Sequence, residues 1–337
     1  MTGAPRRIAG LLGVLLLVVV AAHGAVWWWV AAEIERQVAA TLAAPPLPGW
    51  QASAGPLRRT GWPWAATVEV PQPRAQGPGD VAAGAGPGWA AELVSVSIAF
   101  ARPRTLALAV EGRQEWRMGA GRAVPVVASL LRAEVPLEPG VPARAVTLAV
   151  ADLRAGLAEG DATLGRLDLV GEVRPAAQQG EAALTLAATA ARIGLPAGFS
   201  APLGQMVETL GLDLVVTGPV PRAPELAARA EAWRDGGGTV ELRRLDLGWG
   251  ELVLSGGATL ALDARLQPMG AATARVAGHD AALRALVAGA VLAPMARRPA
   301  EGGAARVEMP FSLQNRTLSM GMIPLVRLPE LVWRPPG

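Results

Sequence analysis

Acid–base chemistry in this chain rests on very few side chains. Its 337 residues include two histidines and no cysteine, lysine or tyrosine, so a proton acceptor near neutral pH is His23, His279 or a carboxylate. His279 stands directly before Asp280 and the apolar stripe Leu283, Leu286, Val287, Ala290 and Val291. That order is a helix start with Asp280 as N-cap, not a catalytic pair. A Ser-His-Asp arrangement needs a serine on a strand-to-helix elbow, and Ser255 lies in Leu-Ser-Gly-Gly, outside the G-x-S-x-G frame. One histidine among dispersed acids carries no zinc signature. Without cysteine, thiol catalysis, thiolate metal sites and disulfides are excluded. Glu231 and Asp235 share a helical face, the usual pattern of a solvated surface. The runs Gly236–Gly238 and Gly256-Gly257 match neither a Walker loop nor a dinucleotide fingerprint, and read as turns between strands. No catalytic residue, metal site or cofactor is therefore expected. The parts of an enzyme are missing, except for one built from carboxylates alone.

The elements that hold these residues begin with an anchor. From Ile8 to Ala32 the sequence IAGLLGVLLLVVVAAHGAVWWWVAA has no charged residue apart from the neutral imidazole of His23. A bilayer core of ~30 Å takes about 20 apolar residues, so the segment is long enough to span. His23 reads as a tolerated passenger in it. Arg6 and Arg7 precede the run, while Glu33, Glu35 and Arg36 follow. Basic residues stay on the cytoplasmic side, which predicts a short cytoplasmic N-terminus over 1–7, a signal anchor over 8–32 and the rest of the chain outside. Trp27, Trp28 and Trp29 fall where amphipathic rings favour the headgroup level. A cleavable signal peptide is the rival reading, since Ala21, Ala22, Gly24 and Ala25 suit a cleavage site. Apolarity running on to Ala32 exceeds the usual ~7–15-residue core of such peptides. The expected location is the bacterial inner membrane, single-pass, with the bulk of the chain periplasmic.

Composition bounds the remainder. The sequence pI is about 10.8, but the formal net charge is only +3. With almost nothing titrating between histidine and arginine, a small arginine excess lifts the pI. The arginines stand singly or in pairs, without the basic stripe that nucleic acid requires, so no nucleic-acid partner is expected. Apolar residues make up 51%, with no Tyr and only 3 Phe; a large core is affordable, built from Leu, Val and Ala.

Beyond the anchor, residues 33–66 read as a juxtamembrane helix to Ala43, broken at Pro45-Pro46, and then a Gly- and Pro-punctuated loop. Residues 67–337 read as a β-rich periplasmic domain. Val94, Val96, Ile98 and Phe100 alternate with small or polar residues, as do Leu106, Leu108 and Val110, and Val146, Leu148 and Val150. Leu167 with Leu169, Leu184 with Leu186, and Leu212, Leu214 with Val216 continue the period of two, the mark of a half-buried antiparallel sheet. In GTVELRRLDLGWGELVLSGGATLALDARL three strands are expected, divided by Trp-Gly and Ser-Gly-Gly turns, with a bulge where the apolar parity changes at Arg243-Arg244. A closing hairpin turns at Asn315-Arg316. Helical spacing predicts helices at Phe199–Leu210 with Ser200 as cap and after Asp280, and weaker ones at Pro125–Arg132 and Pro224–Trp233. The fold class is α+β, predominantly antiparallel: a long curved sheet with a few packed helices behind one transmembrane helix.

Several segments together carry a resemblance. They are Gly61-Trp62-Pro63-Trp64 before the first long strand, LRRLDLGWGELVLSGGATLALDARLQPMGAATARV, and the closing MPFSLQNRTLSMGMIPLVRLPEL. With the anchor they resemble the bacterial family catalogued as domain of unknown function 2125. Its Gly-Trp-Pro motif matches Gly61, Trp62 and Pro63, with Trp64 where the family often has Phe. Its Leu-Asp-Leu-x-Trp-Gly segment matches Leu245, Asp246, Leu247, Trp249 and Gly250. The family commonly has glycine in the turn occupied here by Asn315-Arg316. The resemblance carries no active site with it.

The expected function is a non-enzymatic, membrane-anchored protein of the cell envelope. Lipid or another apolar ligand on the curved sheet is one expectation. An envelope-complex scaffold with protein partners is another, and a carboxylate-dependent hydrolase a third.

Overall fold

In the computed structural model, which describes residues 4–79, 86–119, 121–138, 144–199, 201, 203–221, 225–277 and 307–333, the chain folds as two compact units, Met1–Ala143 and Arg144–Gly337. His279 and the apolar stripe after Asp280 lie outside the described residues. So does Ser200. The class is α+β and predominantly antiparallel, with an N-terminal apolar helix.

The first unit is organised by that helix. Helix α1 runs unbroken over Ala4–Ala43 and ends before Pro45-Pro46, where proline removes the donor a further turn would need. Its second half is not a free stalk. Trp27, Val30, Ala31, Ile34 and Val38 recur at helical spacing and pack on a sheet. That sheet is built from β1 (Gln51–Ser53), β2 (Arg58–Thr60), β3 (Ala65–Pro71), β4 (Arg74–Gln76), β5 (Gly88–Ala99), β6 (Thr105–Arg117), β7 (Val124–Val127) and β8 (Leu130–Pro136). All recorded pairings within it are antiparallel: β1 with β4, β4 with β5, β2 with β3, β3 with β5, β5 with β6, and β6 with both β7 and β8.

Register explains the core. Ala66, Val68 and Val70 lie opposite Ile98, Val96 and Val94, which in turn lie opposite Leu106, Leu108 and Val110. Period two puts all nine on one face. Ala31, Ala66 and Val68 are fully buried there, and Ile34 is 6% exposed. The alanines bring helix and sheet backbones close, and each larger aliphatic removed from water adds about 1.5–3 kcal/mol. Thr67, Glu69, Ser95 and Ser97 take the other face.

Among the described residues, the second unit contains ten strands, each paired antiparallel with the next. Its strands are β9 (Ala145–Leu157), β10 (Gly160–Val173), β11 (Ala182–Gly194), β12 (Met206–Thr217), β13 (Val240–Trp249), β14 (Leu252–Leu262), β15 (Pro268–Ala277), β16 (Val307–Gln314), β17 (Thr317–Met320) and β18 (Ile323–Arg327). Helix α2 (Leu226–Asp235) fills the β12–β13 connection, in agreement with the helical spacing of Pro224–Trp233. The indole Nε1 of Trp233 donates to the Thr217 carbonyl at 2.8 Å and ties α2 to the end of β12.

Three expectations from the sequence are corrected. The helical spacing at Phe199–Leu210 is overridden: Phe199 is exposed in a loop, Gly204 takes φ +103°, and Met206 to Leu210 begin β12. The alternation of Leu210, Leu212, Leu214 and Val216 extends backwards and wins over a stripe that a glycine interrupts. Pro125–Arg132 is likewise not helical but belongs to β7 and β8, where β-branched Val124 and Val126 pair with β6. Ser255-Gly256-Gly257 is not a turn; it lies inside β14, opposite the register shift between Leu242 and Leu245. The expected bulge at Arg243-Arg244 is there and accounts for Gly257, while β15 on the other side accounts for Gly256. A Cβ on Gly257 would stand 2.9 Å from the Leu242 carbonyl oxygen, and one on Gly256 would stand 2.5 Å from that of Thr273.

The closing hairpin turns at Asn315-Arg316 as expected, with φ +49° and +64°. Two left-handed residues define a type I′ turn, whose second position favours glycine. Arg316→Gly is expected to stabilise the hairpin by about 0.5–1 kcal/mol by removing the Cβ penalty. Slower amide hydrogen exchange in β16 and β17 would register it.

Candidate functional site: an apolar sheet face

The residues that pair across the second unit sort cleanly by face. Leu167 and Leu169 oppose Val150 and Leu148 on one side, and Ala190 and Ala188 on the other. Leu184, Leu186, Ala188 and Ala190 oppose Val216, Leu214, Leu212 and Leu210. These oppose Val240, Leu242, Leu245 and Leu247, and the series passes through Leu254, Val276, Met309 and Phe311. Each strand contributes every second residue, so these side chains form one apolar face. The Arg243-Arg244 bulge keeps it in phase: two residues against one restore parity between Leu242 and Leu245.

The opposite face carries the ion pairs, together with the buried aliphatics Val207 and Val215. Arg244 Nε lies 3.0 Å from Asp213 and 3.6 Å from Asp246, and Arg275 lies 3.3 Å from Glu308. Arg166 bonds Asp168 through two guanidinium nitrogens and holds that carboxyl below the usual aspartate range. A sheet polar on one side and apolar on the other must cover the apolar side with something.

Cover is present over parts of that face, where Val150 on β9 and Leu313 on β16 are buried, and most clearly around β14 and β15. Leu252 and Val276 are buried there, with Leu203, Leu247, Leu254 and Met309 packed against them. Elsewhere Leu184, Leu186, Leu210, Leu212, Leu214, Leu242 and Leu245 remain half-buried. On the polar face, by contrast, Val215 is 4% exposed. Chemically the apolar face offers no donor, acceptor or nucleophile. It can hold hydrocarbon.

The sequence motifs fall into place in each unit separately. Leu245 and Leu247 stand on the apolar face, while Asp246 points away to Arg244. Trp249 and Gly250 brace the β13–β14 turn: Trp249 Nε1 donates to the Gly204 carbonyl at 2.7 Å, and the Gly250 amide donates to Glu208 Oε2 at 2.9 Å. In the first unit, Gly61 opens a tight turn with φ +89°, and a Cβ there would stand 2.6 Å from Thr67 Oγ1. The amides of Trp64 and Ala65 both donate to the Gly61 carbonyl. Trp62 and Trp64 project into solvent, 53% and 81% exposed.

The tryptophan triplet of α1 divides. Trp28 and Trp29 are exposed, whereas Trp27 faces the sheet and donates from Nε1 to the Ala65 carbonyl at 2.9 Å. His23, read from the sequence as a passenger, has a structural role. Its Nε2 donates to the Pro63 carbonyl at 2.7 Å, and its ring meets Phe100 edge-on at 4.8 Å. The available signal for these two contacts was the helical stripe from Trp27 to Val38, which a membrane span of uniform apolarity conceals. On the same unit Arg102 hydrogen-bonds Glu134 and, with Arg132, holds that carboxyl below the ordinary glutamate value.

Ser255 lies within β14, and Glu231 and Asp235 are exposed on α2, Asp235 beside Arg234 at 2.8 Å.

The model of a family described as "Uncharacterized protein conserved in bacteria (DUF2125)" matches residues 27–329. No curated protein and no solved structure matches the chain.

Proposed function

The chain belongs to the bacterial family DUF2125, and from that premise we propose that it is a non-enzymatic, single-pass protein of the cell envelope that holds lipid acyl chains on the apolar face of its second unit. The observation that carries this is the half-buried row of Leu184, Leu186, Leu212, Leu214, Leu242 and Leu245 on strands whose other face is ion-paired. A row of leucines left only half-buried along a sheet face is apolar surface that a bound hydrocarbon would cover further. An acyl chain is the occupant that fits best: the face is hydrocarbon without polar handles, and α1 keeps the protein beside a store of such chains.

Helix α1 supports the membrane assignment by length and composition, with Leu12, Val14, Leu15, Leu16, Leu17, Val18 and Val19 all more than half exposed. Arg6 and Arg7 before the span favour a cytoplasmic N-terminus and a periplasmic bulk in the inner membrane. The experiment that tests the reading places a photoreactive p-benzoylphenylalanine at position 212 of the full-length chain in its own membrane. Capture of phospholipid supports acyl-chain binding. Capture of protein alone would replace it with a scaffold role.

A further inference from the structure

Three contacts fix how high the first unit stands on α1. His23 bonds the Pro63 carbonyl, its ring meets Phe100 edge-on at 4.8 Å, and Trp27 bonds the Ala65 carbonyl. The turn Gly61–Trp64 is therefore level with His23.

Helix length then sets the height of that turn in the membrane. At 1.5 Å per residue, the helix from Ile8, the first residue after the Arg6-Arg7 pair, to His23 covers about 22 Å, short of the ~30 Å hydrocarbon core by about 8 Å. The full thickness is reached about five residues later, at Trp28. The protein contact thus starts below the level at which the helix alone would leave the hydrocarbon. Something in the first unit must share that boundary, and Trp62 and Trp64, exposed on either side of Pro63, are the side chains suited to it.

We propose that the Gly61–Trp64 turn is a second membrane contact, with Trp62 and Trp64 seated at the outer headgroup–hydrocarbon boundary beside Trp28 and Trp29. This rests on α1 being a membrane anchor. The surroundings agree with that height. One to two turns above Trp28, Arg59 bonds Glu35 and lies over the Trp28 ring at 5.2 Å, a charged layer in the headgroup zone. The Arg102–Glu134 pair, next to the β5–β6 turn, keeps the rim from going deeper than the interface, because an ion pair in hydrocarbon is costly. The functional consequence is geometric. Two anchoring points, a helix and a turn, fix the tilt of the first unit on the bilayer, where one helix alone would let it swing.

The absence of cysteine makes the test direct. Single variants Val20→Cys, Trp62→Cys, Trp64→Cys and Met118→Cys carry a spin label in the full chain, reconstituted in vesicles of phosphatidylethanolamine and phosphatidylglycerol. Collision with oxygen, enriched in lipid, is compared with collision with a water-soluble nickel chelate. Val20 lies on the exposed span and Met118 is exposed beyond the far end of β6. The expected oxygen-to-nickel ratio at Trp64 and Trp62 is about fivefold above that at Met118 and below that at Val20. Labels at both Trp62 and Trp64 as wet as Met118, with Val20 in lipid, would overturn the second contact and leave the anchor standing. A wet Val20 would overturn the anchor itself, and with it this inference. Both tryptophans are largely solvent-facing, so neither change removes core packing.

Discussion

Ile34→Asp is expected to unfold the contact between α1 and its sheet, at a cost of about 4 kcal/mol or more. Truncating a buried isoleucine alone costs about 2–5 kcal/mol, and an unpaired carboxylate against Val68 and Val96 adds a desolvation penalty. Ile34 is 6% exposed in the cluster with Ala31, Ala66, Val68 and Val96. Ala40→Asp, on an exposed position of the same helix, is the control and is expected to cost under about 1 kcal/mol. Because the chain has two units, a single melting temperature is a poor measure. Amide exchange in β3 and β5 reads the effect directly: many-fold faster in Ile34→Asp, unchanged in Ala40→Asp. Unchanged exchange in both would show that α1 is a tether and not part of the core. The same geometry says that a fragment cut at Pro45 loses Ala31 and Ile34 and with them the first unit's core.

The second large effect concerns the apolar face. Leu212 and Leu245 are directly opposed across β12 and β13. Replacing both with glutamate sets two like charges side by side on the surface proposed to hold acyl chains. Phospholipid capture from a photoreactive group at the neighbouring position 214 is expected to fall about tenfold or more, since a loss of only about 1.4 kcal/mol in affinity suffices. Both leucines are half-buried, so the strands tolerate the change better than a sealed core would. Asp213→Ala, which removes the partner of Arg244 on the opposite face, is expected to leave capture unchanged. Equal losses in both variants would point to damaged strands rather than to a damaged site.

Much of this arrangement is legible in the sequence because a strand's period of two is a local property. Val94-Val96-Ile98 or Leu212-Leu214-Val216 announce both strand and face, and even the Arg243-Arg244 bulge shows as a change of parity. Where sequence reading fails, the cause is non-local. Gly256-Gly257 looks like a turn until the strands on both sides are known, because what demands glycine there is the neighbouring backbone of Thr273 on one side and Leu242 on the other. Met206 and Val207 fit a helix stripe as well as a strand, and only pairing with β11 decides. The stripe from Trp27 to Val38 is hidden by the span it continues. Up to Ala32 the segment is apolar all round and shows no moment to separate a lipid-facing from a protein-facing side; only Ile34 and Val38, set among Glu33, Glu35, Arg36 and Gln37, mark the packed face. The Gly61–Pro63 and Leu245–Gly250 motifs could be seen as motifs, but their partners, His23 for one and Gly204 with Glu208 for the other, are 40 or more residues distant.

The measurement that tests the central claim most directly compares photo-capture at adjacent positions of β12 in the intact envelope. p-Benzoylphenylalanine at position 212 faces the apolar side, and at position 213 the ion-paired side. If the sheet holds acyl chains, position 212 yields an adduct with the mass of a phospholipid and position 213 does not. Protein adducts alone at 212, or equal lipid capture at both positions, would contradict it.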